Sequence, residues 1–146
     1  MIGNIVPIAE DIREYELNIS KSSFSLVSAI SKYRVQIPIS DAQNSNIWTA
    51  LNIGRDVNIY LGALWNSFYS LVGVAEIEIP KTLINYALPS NSCRFYAQKP
   101  VMYLDEVSFE VNKTTNTYML DIRMTSDQYS EMASDGNVYV KFAVKI

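Results

Sequence analysis

Two glutamates stand two residues apart at Glu76 and Glu78, and a second such pair stands at Glu14 and Glu16. In an extended strand such residues share one face at a spacing of roughly 7 Å, near the separation with which an inverting glycosidase seats its water between two carboxyl groups. That chemistry also requires one carboxyl to be desolvated enough to stay protonated. Glu76 and Glu78 alternate with Ala75, Ile77 and Ile79, so the apolar set is expected to turn inward and the glutamates outward into water. Glu14 and Glu16, flanked by Tyr15 and Leu17, read the same way, and no catalytic role is expected of either pair. Asp11, Glu14, Asp105, Glu106 and Asp135 offer oxygen ligands, yet no stretch carries the dense Asp/Asn alternation and closing Glu of a calcium loop. Cys93 has a cation beside it in Arg94, but a nucleophilic thiol also needs a base, and the chain has 0 histidines. The same lack removes the commonest metal ligand and proton shuttle. The 5 glycines are scattered and form no phosphate-binding loop. No enzyme, no metal and no cofactor is the expectation.

These side chains must be positioned by a chain of 146 residues, a length suited to a single domain over 1-146 with one core. Charged residues make up 18% and hydrophobic residues 49%, so polarity rests on uncharged Ser, Asn, Thr and Gln, and a packed core is affordable in composition. A net charge of −3 without any basic cluster argues against a surface built to neutralise phosphates, so no nucleic acid is expected as partner. The single cysteine excludes an internal disulfide. Residues 1 to 7 lack the basic flank and long apolar run of a secretory signal, so export by that route is not expected. Asn18-Ile19-Ser20 and Asn112-Lys113-Thr114 match the glycosylation sequon, which has no consequence without export.

Period-two alternation recurs along the chain. It runs through Tyr15-Leu17-Ile19, Tyr33-Val35-Ile37-Ile39, Ala75-Ile77-Ile79 and Val138-Val140-Phe142-Val144-Ile146, and Cys93 to Tyr96 is expected to be a further strand with Cys93 as a small, partly buried residue. The segment from Glu106 to Met124 predicts a hairpin, with Val107-Phe109-Val111 and Tyr118-Leu120-Ile122 flanking a polar loop. Pro38 withholds one ladder donor, so its strand is expected at an edge or a bulge. Asp135-Gly136-Asn137 reads as a turn of residues that tolerate positive φ. Thr125 to Gln128 fits a capping box and predicts a short helical turn near 126-133. Between Val57 and Ala75 two readings compete: a helix within 57-72 behind an Asp56 cap, or strand-loop-strand, which the aromatic and β-branched content favours. The same 19 uncharged residues contain two Asn and two Ser, and their flanks, Arg55-Asp56 and Glu76, show no basic bias, so a membrane span is not expected. The fold class is therefore mainly β: an antiparallel β-sandwich, jelly-roll or immunoglobulin-like. Its expected core includes Tyr15, Leu17, Ile19, Val35, Ile37, Ile77, Val107, Phe109, Val111, Leu120, Ile122, Val140, Phe142 and Val144.

The aromatic inventory has the strongest functional pull, with 10 Tyr, 5 Phe and 2 Trp. Tyr and Trp bury a large area while keeping a polar tip, which suits interface anchors and sugar-stacking platforms alike. Tyr139 falls on the outward phase of the last strand, beside Lys141 and Lys145. Trp48 is expected at a loop-to-strand boundary, and Trp65 lies in the uncharged stretch. Met1, Ile2, Ile5 and Val6 give an apolar start before Pro7 that suits adding a strand to a neighbour. These seven residues, Met1, Ile2, Ile5, Val6, Trp48, Trp65 and Tyr139, are the interface candidates.

Ile, Asn, Tyr, Lys and Phe, the residues of AT-rich codons, outnumber Gly, Ala, Arg and Pro twofold. Together with the histidine-free, low-charge, Asn-, Ser- and Tyr-rich strand pattern, this resembles in general character the small structural proteins of bacteriophage particles. The resemblance spans the chain through composition and alternation and carries over no residue roles. It implies a capsid accessory, head-fibre, connector-ring or tail component, a homo-oligomer located in the virion and acting by binding its own copies and other virion proteins. The alternative is a carbohydrate-binding β-sandwich module with a glycan as partner, which would display coplanar aromatics.

Overall fold

The computed structural model describes residues 12–64, 72–79, 92–97, 104–112, 115 and 117–145. Among the described residues nine strands and two short α-helices follow in the order β1 (Ile12–Ser20), β2 (Ser25–Val27), β3 (Lys32–Ile39), α1 (Ser45–Asn52), β4 (Val57–Leu64), β5 (Val72–Ile79), β6 (Ser92–Tyr96), β7 (Glu106–Asn112), β8 (Thr117–Thr125), α2 (Ser126–Glu131) and β9 (Asn137–Lys145). They build two antiparallel sheets, one of four strands in the order β1-β9-β4-β5 and one of five in the order β2-β3-β8-β7-β6. The architecture is a mainly-β sandwich.

The alternation read from the sequence sets the inner faces. Val138, Val140, Phe142 and Val144 of β9 are buried, as are Val57, Ile59, Leu61 and Ala63 of β4 and Tyr118, Leu120, Ile122 and Met124 of β8. Phe109 of one sheet meets Phe142 of the other edge to face, with centroids 6.5 Å apart, and this contact ties the layers together. Burying each such side chain contributes about 1.5–3 kcal/mol. Ile19, Ile77, Val107 and Val111 are buried as expected, whereas Tyr15, Leu17, Val35 and Ile37 are only partly buried and pack against the core from its margin.

The helix considered within 57-72 does not form at its described residues: Val57–Leu64 and Val72–Ile79 are paired strands. Tertiary pairing decides this, since β4 lies between β9 and β5 and needs every second residue inward. Residues 65–71 lie outside the described residues. The expected hairpin forms from β7 and β8, with Val107 opposite Ile122 and Phe109 opposite Leu120. Pro38 sits where β3 has no partner on its far side among the described residues, because β2 pairs only with Lys32, Tyr33 and Arg34. The expected edge is therefore local to one half of the strand. At Thr125 the capping box is complete, with the Thr125 side chain accepting from the Gln128 N–H and the Gln128 side chain accepting from the Thr125 N–H. Tyr129 of α2 then stacks on Tyr33 at 3.7 Å, which docks the helix on β3.

Two local expectations are corrected. The turn before β9 closes through Gly136 N–H to Ala133 C=O at 2.9 Å, and Gly136 does not take positive φ; among the described residues that conformation falls on Ser31 and Gly54. Trp48 does not mark a loop-to-strand boundary but lies inside α1. This helix ends in a Schellman arrangement, Gly54 at φ 74° with its N–H on Leu51 C=O and the Arg55 N–H on Ala50 C=O, which only glycine adopts without a Cβ penalty. Ile47, Ala50 and Leu51 turn into the core, and α1 contacts both β3 and β9. The hydroxyl of buried Tyr118 donates to Asn52 Oδ1 and fixes the end of the helix to β8.

Candidate interaction surface

The outward phase of the four-stranded sheet brings together residues from all four strands. Register places Glu16 and Tyr60 on either side of Lys141, Asn18 and Gly62 on either side of Tyr139, and Glu76 beside Tyr60. Lys141 Nζ lies 3.6 Å from Glu14 and 5.2 Å from the Tyr60 ring centre. Asn58 donates to Glu76 at 3.3 Å. Lys145 lies 3.8 Å from Asp56. Tyr139 donates its hydroxyl to Glu16, which favours the neutral phenol and pushes its pKa up to about 12, helped by desolvation and by the charges of Glu16 and Glu14. Glu76 and Glu78 lie on this outer face as expected, Glu78 exposed.

Of the interface candidates, Tyr139 takes its expected outward phase but is half-buried and held by Glu16 instead of projecting alone. Trp48 is half-buried in α1 and packs against the core. Met1, Ile2, Ile5, Val6 and Trp65 lie outside the described residues. The described candidates do not converge: Trp48 faces the sandwich and Tyr139 faces away from it.

The outer face of the five-stranded sheet carries a constellation that the sequence reading missed. Asp121 is only 3% exposed although it points away from the core. Arg34 grips it with Nε 3.1 and 3.0 Å from its two oxygens and Nη2 at 2.6 Å, so the Arg34 pKa is raised by that hydrogen bond. Arg94 stands 3.7 Å and Arg123 3.6 Å from the same carboxylate. Arg94 also pairs with Glu110 at 2.8 Å and donates to Ser108 at 3.4 Å. The visible signal was the polar phase of each strand, Arg34, Arg94, Ser108, Glu110, Asp121 and Arg123; what it lacked was the strand order, which sets β3, β8, β7 and β6 side by side.

Among the described residues four large apolar side chains are exposed, Ile53 at the end of α1 and three on the edges of the two sheets. Ile12 on β1, Leu26 on β2 and Tyr96 on β6 are 57%, 56% and 53% exposed, and each belongs to a marginal strand. Among the described residues no three His, Cys, Asp or Glu side chains are grouped to hold a metal ion, and no helix is long and apolar enough to cross a membrane. Comparison of the chain with protein families, with curated proteins and with solved structures finds no match in any of the three.

Proposed function

We propose that the chain is a structural component of a virus particle, a capsid accessory, head-fibre, connector-ring or tail protein, that works by binding its own copies and other virion proteins. The observation that carries this reading is the placement of three of the four large apolar side chains exposed among the described residues, Ile12, Leu26 and Tyr96, on the marginal strands of both sheets. An exposed apolar residue is ordinary when it stands alone, but at these margins it lies beside backbone groups that have no partner among the described residues, and a neighbouring chain covers both at once. Sparse charge supports the same reading, since desolvating Lys and Glu at the centre of an interface is costly. The carbohydrate-binding alternative requires aromatics displayed in line, and half-buried Trp48 does not favour it.

Sedimentation of the purified chain, alone and with particles of its source virus, tests the proposal. Multimers or co-sedimentation with the particle are expected. A chain that stays monomeric at every concentration, joins no particle and binds a glycan through Trp48 or Trp65 overturns it.

A further inference from the structure

β1 differs from every other marginal strand described. β2 is three residues long and β6 five, β3 carries Pro38 where it lacks an outer partner, and β5 loses register with β4 between Leu61 and Ala63. Sheets blunt their margins with short strands, prolines and bulges because an open edge templates pairing with another chain. β1 has none of these three devices; its protection is by charge alone, at Arg13, Glu14 and Glu16, and those charges restrict the registers in which another strand can pair. Its nine residues pair with β9 without a break from Ile12 to Ser20, and among the described residues nothing pairs with its other side.

Its backbone polarity can be assigned. Lys21 N–H bonds Gly136 C=O in the same register, so Ile19, Leu17, Tyr15 and Arg13 turn their backbone groups towards β9. Glu14, Glu16, Asn18 and Ser20 turn theirs outward. Glu14, Tyr15, Glu16 and Leu17 form one wall of a groove of about 520 Å³ along the strand, residues 43–47 form the other, and Tyr15 and Leu17 are half-buried there.

We propose that two copies of this chain pair antiparallel along β1 about a two-fold axis at Leu17, joining their four-stranded sheets into one of eight strands. The proposal rests on the assembly reading above and names its first contact. Charge selects the register. An axis at Glu16 sets that residue against its twin, and an axis at Tyr15 sets Glu14 against Glu16. The axis at Leu17 sets Glu14 opposite Ser20, Glu16 opposite Asn18 and Tyr15 opposite Ile19, the longest pairing without facing glutamates, and like charges directly opposite are destabilising. Four outward residues from each copy then form about eight backbone hydrogen bonds, and the half-buried Tyr15 and Leu17 of both copies close the open margin of the core.

Leu17 faces its twin as a non-hydrogen-bonded pair, with Cα atoms about 4.5 Å apart, within reach of a disulfide. In a Cys93→Ser background, Leu17→Cys is expected to give a covalent dimer under mild oxidation, whereas Leu26→Cys on β2 does not. Asn18→Pro removes a donor from the outer side alone, so it is expected to turn a sedimenting dimer into a monomer with an unchanged circular dichroism spectrum. A dimer that survives Asn18→Pro and resists cross-linking at residue 17 overturns the edge proposal and leaves the assembly reading standing through another surface. A wild-type chain that sediments as a monomer at every concentration and does not cross-link at residue 17 also overturns it, and binding to particles then decides the assembly reading separately.

Discussion

The outer faces of the two sheets solve the same problem in opposite ways. On the five-stranded sheet, Asp121 sits at the centre of Arg34, Arg94 and Arg123, and Glu110 takes up the outer side of Arg94. Long arginine stems cover the carboxylate so well that a residue on the solvent side of a sheet is nearly as buried as the core. The four-stranded sheet spreads its charges as separate contacts, Lys141 with Glu14, Lys145 with Asp56 and Tyr139 with Glu16, each at the margin of solvent. The first face is closed upon itself. The second holds its polar groups near β1 in pairs, and among the described residues nothing pairs with the outer edge of that strand.

The largest expected effect tests the closed face. Asp121→Asn removes the one charge on which three guanidinium groups converge, and breaking a buried pair from one side costs about 3 kcal/mol or more. Urea denaturation is expected to show that loss with the sedimentation coefficient unchanged. If the variant keeps its stability but changes its association, the five-stranded face, and not β1, is the contact surface.

An intermediate effect is expected at Tyr118, which lies between the faces. Burial pushes its phenol up to about 12, above the ordinary value near 10. The neutral phenol is therefore favoured in the folded chain. The stability linked to this shift is whole below pH about 10 and is lost as pH rises through about 12. Tyr118→Phe leaves Asn52 Oδ1 without the hydroxyl, costs about 1–2 kcal/mol, and is expected to flatten the alkaline fall of stability in urea titrations made at successive pH values. An unchanged alkaline slope assigns the titration to another group.

The sequence made the inner faces readable because alternation has a fixed period: Phe109, Leu120, Ile122 and Phe142 fall inward in any register that keeps one side buried. The capping box at Thr125 was readable for the same reason, since its two hydrogen bonds depend on residues three apart. α1 escaped because eight residues with β-branched Ile47 and Thr49 and no charge give little helical signal, and its fixation comes from Gly54, Leu51 and the distant hydroxyl of Tyr118. The Asp121 constellation escaped because its members come from four strands whose order is set by long-range pairing. Tyr139 was placed on the correct face but not with its partner, because the pairing of β1 with β9 joins residues more than a hundred positions apart.

The smallest effect tests the open face most sharply. In the pairing about Leu17, Glu16 lies diagonally across from its twin, and Tyr139 draws that carboxylate back over β9 by donating its hydroxyl to it. Tyr139→Phe keeps the ring and removes the donor, so the two glutamates face each other more freely across the axis. The dimer is expected to weaken by a factor of about two to five, in line with a diagonal like-charge pair, while the melting temperature of the fold changes little, because the contact is exposed to solvent and screened. Adding Glu16→Gln to that variant removes the repulsion and is expected to restore the dissociation constant measured by sedimentation equilibrium. Tyr139→Ser, which removes the ring as well, is expected to weaken the dimer further and to be only partly restored. If Tyr139→Phe and Tyr139→Ser leave association equal to wild type, the hydroxyl serves its own sheet alone, and the axis does not pass through Leu17.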